Sequence, residues 1–375
     1  MKKATLTFVG DMMCSQRMTE CSDMNYSFAF ERANKLKKCD YLIGNLETPI
    51  AGEEMKYTYE RYRFNTPNSF LDALKDCGFG LLTLANNHCM DRGEEGIKKT
   101  LKICHEKGFD TIGIYDSEEA RNRVFVKEIN GIRIGFVNYT YGTNAFAHHT
   151  FLDHPYMVNL LQPEETRPGS IHLLNRYPVI ASDLSRIYGN EAGTEYAYVK
   201  PYLDNLREDI ARTKDVSDYV IAIIHNGGQY IQDVDPYSAF IAEKVKEFGA
   251  DIIVGHHQHL IQGSEHHDGY LKIFCLGNFM TDTYIEGDGF CYNPPVYNAV
   301  FHLELTMADD GNISENKSFS IYTTALDPRG LPVAIDSFDV HATKNEVYLR
   351  EDVLRCAKLF SGGKEYLKVA ERYEI

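Results

Sequence analysis

Five apolar runs in this chain each stop at residues able to bind a metal, and that recurrence narrows its possible folds more than any other feature. Residues 4–9 lead into Gly10-Asp11, residues 41–43 into Gly44-Asn45-Leu46-Glu47, and Phe79–Leu84 into Ala85-Asn86-Asn87-His88. The run at 219–224 ends at His225, and Ile252-Ile253-Val254 is followed by Gly255-His256-His257-Gln258-His259. Short apolar runs bounded by turn residues read as buried strands. Parallel strands of an open α/β sheet bring their carboxyl ends to one edge, which is where sites assemble. Such a fold would gather donors that are scattered from residue 11 to residue 259.

The last run is the richest, with five histidines in the twelve residues His256–His267. The glycine before them permits a sharp turn, and imidazoles two apart can present neutral lone pairs from one loop. Taken singly, each candidate has a plainer explanation. Asp11 could cap a turn, Asn86-Asn87 could be turn chemistry, Glu47 a solvated loop carboxylate, and His225 a hydrogen-bonded strand end. Their joint recurrence favours a metal site. Carboxylates, an amide oxygen and imidazoles suit one or two divalent transition ions such as Mn, Zn or Fe, which can activate water and polarise a phosphoryl group.

Between these runs the pattern alternates. Helices are expected at 67–77, from about Arg92 to Lys107, near 200–214 and at about 236–248; Asp91 and Glu94 resemble a capping box for the second. Strands are expected at 124–129 and 132–137 around the hairpin signal Asn130-Gly131, then at 271–276, 298–306 and 316–324. Strands alternating with helices point to an α/β layered fold. Residues 141–198 lose regularity apart from weak helical hints at 179–188, and read as an insertion over the mouth of the site. Its His148, His149, His154 and His172 could add to a pocket, with a solvated polar loop the favoured reading, while its tyrosines could stack on a sugar or form a satellite core. Residues 1–330 read as one domain, and 331–375 as a charged helical extension packed on it.

A net charge of −15 argues against a nucleic-acid partner, and an anionic substrate would need bound cations to be tolerated. Nine singly scattered cysteines suit a reducing cytoplasm better than a disulfide framework. Met1-Lys2-Lys3 precedes too short an apolar stretch for a signal core, and no transmembrane segment is expected. There is no Walker loop, GxSxG or Cys/His nucleophile pair. Gly277-Asn278 could bring another amide to the site or simply turn the chain.

As a set these segments resemble the CapA/PgsA-like capsule (poly-γ-glutamate) synthesis family, a branch of the calcineurin-like metallophosphoesterases. The resemblance covers Phe8-Val9-Gly10-Asp11, Gly44-Asn45-Leu46-Glu47, Leu84-Ala85-Asn86-Asn87-His88 with Asp91 and Gly93, His225-Asn226-Gly227-Gly228-Gln229-Tyr230, Gly255-His256-His257-Gln258-His259 and Leu276-Gly277-Asn278-Phe279. It implies a four-layer α/β/β/α sandwich. It implies metal ligation by Asp11, Glu47, Asn87, His225, His257 and His259, with His256 the alternative within the loop, and His88 assisting the leaving group. Asn45, Asn86, Asp91, Gln229, Tyr230 and Asn278 would lie close behind or touch substrate. Two departures belong to the branch as a whole, Met13 in place of an imidazole and Glu47 offset from the usual bridging aspartate. Two are local, Gln229 where the family carries Glu and Gln258 where it carries Pro. The implied activity is metal-dependent hydrolysis of a phosphoester or related bond in an anionic envelope or capsule intermediate, small or polymeric. The alternative is a non-catalytic accessory role, binding poly-γ-glutamate or a synthase partner. Family members in polymer export usually carry an N-terminal membrane anchor, and finding none here favours the enzyme. Oligomeric state is left open.

Overall fold

A computed structural model describes residues 1–59, 62–173, 177–281, 296–327, 329–340 and 347–375. In chain order the strands are β1 Lys2–Met12, β2 Tyr41–Leu46, β3 Phe79–Thr83, β4 Asp110–Ile112, β5 Phe125–Ile129, β6 Ile132–Thr140, β7 Tyr219–His225 and β8 Ile252–His256. They continue as β9 Glu265–His267, β10 Tyr270–Ile273, β11 Asn278–Met280, β12 Tyr297–Met307, β13 Ile313–Leu326, β14 Pro332–Asp336 and β15 Tyr373–Glu374. The helices are α1 Gln16–Cys21, α2 Ser69–Cys77, α3 Gly93–Glu106, α4 Glu118–Arg121, α5 Ala145–His148, α6 Tyr177–Ile187, α7 Tyr196–Val216, α8 Pro236–Glu247, α9 Ser337–Val340 and α10 Val347–Phe360.

Two sheets result. One runs β14-β13-β12-β1-β2-β3-β4, with β11 paired to the carboxyl end of β1 and β15 to β13; the other runs β5-β6-β7-β8-β10-β9. Alternation along each central strand explains the stacking, because successive side chains leave a strand on opposite faces. Leu6 and Phe8 of β1 meet Ile221 and Ile223 of β7 and Ile252 and Val254 of β8 in a core between the sheets. Val9 and Met12 point the other way, onto Phe70, Leu71 and Leu74 of α2 and Ile97 and Leu101 of α3. On the far side, Val220, Ala222 and Ile224 of β7 pack on Ile210 of α7 and Ile241 and Val245 of α8. Both faces of the central strands are covered, so those strands read as unbroken apolar runs. The order of layers is α/β/β/α, as expected.

The hairpin at Asn130-Gly131 has both residues at positive φ (51° and 81°), as a tight two-residue turn between right-twisted strands requires. Residues 331–375 differ from expectation. A helix occupies Val347–Phe360, but Pro332–Asp336 is an edge strand on β13 and Tyr373–Glu374 adds another. Proline is tolerated at the first residue of an edge strand, where its missing N–H costs no ladder bond. Residues 341–346 lie outside the described residues. The 141–198 segment also proves less peripheral than an insertion over a mouth. Leu161, Ile171, Leu173, Ile180 and Ile187 belong to the core under α8, and α7 begins at Tyr196, running through Pro201.

Candidate metal centre

Asp11 stands where β1 changes neighbours. Residues 2–8 pair with β12, whereas Asp11 and Met12 pair with Asn278 and Met280 of β11. On the other flank the register with β2 slips between Val9 and Asp11, so Gly10 is the extra residue of a bulge. A bulge turns the following side chain, which is one way to re-aim a residue next to a site. Only glycine fits there, because a Cβ on Gly10 would lie 1.8 Å from the Gly277 carbonyl oxygen.

The Asp11 carboxylate is fully buried and faces imidazoles. His256 Nδ1 is 3.2 Å from Oδ1, His259 Nδ1 is 3.2 Å from Oδ2, and the Asn45 amide donates to Oδ1 at 2.8 Å. Burial by itself would push this carboxyl up, but the hydrogen bonds and charges of His256 and His259 hold it well below the usual range.

Glu47 presents the opposite case. It follows β2, is 0% exposed, and neither carboxylate oxygen has a hydrogen-bond partner. The imidazole nitrogens facing it are His225 Nε2 at 3.5 Å and His259 Nε2 at 3.9 Å, both measured to Oε1. Burial, and then the charges of Asp11 and Asp91, push this carboxyl well above its ordinary value. A buried carboxylate without a donor is costly, and a bound cation is a standard remedy.

His225 closes β7 and meets three groups. Its Nε2 lies 2.8 Å from Asn87 Oδ1 and 3.0 Å from His257 Nδ1, while its Nδ1 is 3.3 Å from the Asn45 amide nitrogen. Burial first, then the neighbouring His257, holds this imidazole well below its usual value, so the ring stays uncharged at neutral pH. In the loop after β8, His257 and His259 take positive φ (108° and 60°), conformations that cost energy and cluster at functional sites. Glu47, His257 and His259 form one group whose donor atoms lie within 4.8 Å of one another; Asp11, Glu47 and His225 form a second. The residues fit a divalent ion, and Glu47 is common to both groups. Within the loop, His257 and His259 share a group with Glu47, while His256 and His259 both face Asp11 at 3.2 Å.

The remaining sequence candidates divide. Asn45 and Asn86 are scaffolding: the Asn86 amide donates to Asn45 Oδ1 and to the Leu46 carbonyl. Asn278 Oδ1 lies 2.9 Å from His259 Nδ1, on the nitrogen that also faces Asp11. His88 Nδ1 is 2.8 Å from Asp91 Oδ2, and the His88 ring lies 4.6 Å from that of Phe64. Asp91 is not the cap that its spacing from Glu94 suggests. The residue before α3 is Arg92, with no side-chain cap, and Asp91 instead takes His88 and the Phe64 N–H at 2.6 Å. Tyr230 places its ring 5.5 Å from His259. Gln229 is half-buried in the loop after β7. Gln258 has a scaffolding role, its amide donating at 2.6 Å to the Asn226 carbonyl and so joining two loops of the site. Met13 is buried, with a thioether where an imidazole would be.

Sequence reasoning missed Tyr141 and Asn144 and favoured the wrong one of two readings for His148. Tyr141 sets its ring 4.6 Å from His257, Asn144 accepts from Asn87, and His148 faces Asp91 at 3.2 Å. The expectation of a solvated loop is therefore wrong for His148. No periodicity marks the segment, so composition was the only signal available.

Among the described residues no helix is long and apolar enough to cross a membrane. A family profile described as "Bacterial capsule synthesis protein PGA_cap" matches residues 5–283. The chain is 27% identical over 287 residues to the capsule biosynthesis protein CapA of Bacillus anthracis, covering 75% of this chain and 60% of that protein. It is 26% identical over 282 residues to the PGA biosynthesis protein CapA of Bacillus subtilis (strain 168), covering 74% and 63%. The matches thus span under two thirds of either relative. A hypothetical protein from Thermus thermophilus, known from a crystal structure, aligns over 84% of this chain and 98% of its own with 15% identity and a TM-score of 0.41.

Proposed function

This chain belongs to the PGA_cap family of bacterial capsule synthesis proteins, and on that footing we propose that it is a metal-dependent hydrolase serving capsule or poly-γ-glutamate synthesis. Its substrate would be a phosphoester or related bond in an anionic envelope or capsule intermediate, handled in the cytoplasm. The observation that carries this reading is Glu47, a carboxylate shut away from water with no donor on either oxygen and imidazole nitrogens around it.

Asp11, Glu47, Asn87, His225, His257 and His259 would hold one or two ions of Mn, Zn or Fe. The chemistry such an ion supplies is polarisation of a phosphoryl oxygen and acidification of water. The protein's own groups do the rest. Asp91 fixes the ring of His88 at Nδ1 and leaves Nε2 to carry a proton to the departing oxygen. Buried strand ends keep bulk water from competing for the reacting groups.

The test is hydrolysis of an aryl phosphate in Mn or Zn, with elemental analysis of protein purified without an affinity metal. Bound transition metal with activity lost in His225→Ala is the expected result, and unchanged activity in that variant would sink the proposal. The second reading, a non-catalytic accessory protein binding poly-γ-glutamate or a synthase partner, draws on Met13, which thins the first ligand set. Protein without metal or activity that still retains the polymer would favour it.

A further inference from the structure

We infer that the single-turn helix α5 is a positioning clamp, with Asn144 setting which way the Asn87 amide faces and His148 holding Asp91 behind His88. The inference rests on the metal reading above and adds residues outside its ligand set.

Helix α5 is bracketed by two non-glycine residues in left-handed backbone, Asn144 at φ 55° and His149 at φ 52°. Such residues persist where the surroundings over-determine the chain. The surroundings here are two buried carboxylates: Glu165 accepts the Ala145 N–H at 3.1 Å, and Glu164 accepts the Thr143 hydroxyl at 2.8 Å. That anchorage presses one turn of helix against the turn that carries Asn87 through Asp91.

The contacts match residue for residue. At the start of α5, Asn144 Oδ1 accepts from Asn87 Nδ2 at 3.1 Å. This engages the NH2 end of the Asn87 amide and leaves Asn87 Oδ1 facing His225 Nε2 at 2.8 Å. Turned round, the amide would offer N–H groups to the cluster and have no lone pair for a cation. At the end of α5, His148 Nδ1 lies 3.2 Å from Asp91 Oδ1, the oxygen that His88 leaves unused, while His148 Nε2 lies 3.0 Å from the Tyr62 carbonyl. Asn144 and His148 are four apart, as are Asn87 and Asp91, so one turn docks against another. Phe146, on the same helix, is 53% exposed and serves as a control.

The test separates side chain from backbone. Asn144→Gly keeps the left-handed conformation and removes the acceptor, whereas Asn144→Asp keeps an acceptor that cannot flip. Calorimetric titration of the full chain with MnCl2, after thermal melts have checked folding, should show Mn2+ affinity falling about 10–100-fold in Asn144→Gly. Asn144→Asp and Phe146→Ala should stay near wild type. His148→Ala should leave Mn2+ affinity intact but shift the His88 ring 15N resonance of the metal-free protein, which Phe146→Ala should not. Equal Mn2+ affinity in wild type and Asn144→Gly, equal loss in Asn144→Asp, or an unmoved His88 resonance in His148→Ala would each overturn the clamp while leaving the metal reading intact. Wild-type protein that takes up none of Mn2+, Zn2+ and Fe2+ would remove both.

Discussion

Replacing Glu47 by glutamine should stabilise the metal-free protein and abolish its response to a divalent cation. Glu47 is wholly buried with two unpartnered oxygens, and burial, then Asp11 and Asp91, raise its carboxyl well above the usual range. The sign follows from that direction. A raised folded value means stability that is complete below the unfolded value near about 4.3 and is lost as pH rises through the folded one. An unpaired buried charge costs several kcal/mol, and a buried unsatisfied amide about 1–3 kcal/mol, so the substitution should gain about 2 kcal/mol at pH 8. With a melting entropy of about 2.1 cal/mol/K per residue, a chain of 375 residues should melt about 2–3 °C higher. Scanning calorimetry of metal-free protein should show that gain at pH 8 and none at pH 4. Excess Mn2+, at about a hundred times its Kd, should add about 2.7 kcal/mol to wild type and nothing to the variant. A variant that melts below wild type at pH 8, or gains as much from Mn2+, refutes the reasoning.

Three other outcomes are expected. His302 sits between Thr7 and Ser320; burial, then the charge of Arg372, presses its imidazole down to about 3. Its folded form stays neutral while the unfolded chain takes up a proton, so stability should fall by on the order of 4 kcal/mol as pH drops from about 6.5 towards 3. Urea melts of His302→Gln should show a flatter acid limb, and parallel limbs would count against this. Gly10→Ala drives a Cβ to 1.8 Å from the Gly277 oxygen, so β1 and β11 must part; a loss above about 3 kcal/mol or failure to fold is expected, and a near-neutral melt would contradict it. Asp235 caps α8 through the N–H groups of Tyr237 and Ser238 and also accepts from Gly228 beside the site, so Asp235→Ala should cost about 2 kcal/mol by chemical denaturation.

The core strands were legible because burial on both faces writes them as apolar runs, and the convergence of the candidate donors was legible because they follow those runs directly. What escaped was short or depended on partners. Asn278–Met280 is three residues long and is a strand only because Asp11 and Met12 lie beside it. Pro332–Asp336 opens on a proline and takes its pairing from β13, which the sequence near 332 does not announce. Asp91 carries a helix-start signature, yet the fold spends it on His88, since a short carboxylate suits either task. His148 illustrates the reverse. An imidazole in an irregular, polar stretch has no local mark of burial, and only the docking of α5 brings it to Asp91.

The cluster draws Asp11, Glu47 and Asn87 from one sheet and its loops, and His225, His257 and His259 from the other. An ion shared by them would act as a rivet through two plates otherwise joined at that rim by side-chain hydrogen bonds such as those of Asn45 and Asn87 to His225. Chelation should therefore loosen the rim first, with amides of residues 45–47 and 256–259 exchanging faster while the strand middles stay protected. The same seam ties chemistry to shape, because any partner that slides one sheet against the other changes the distance across the ion.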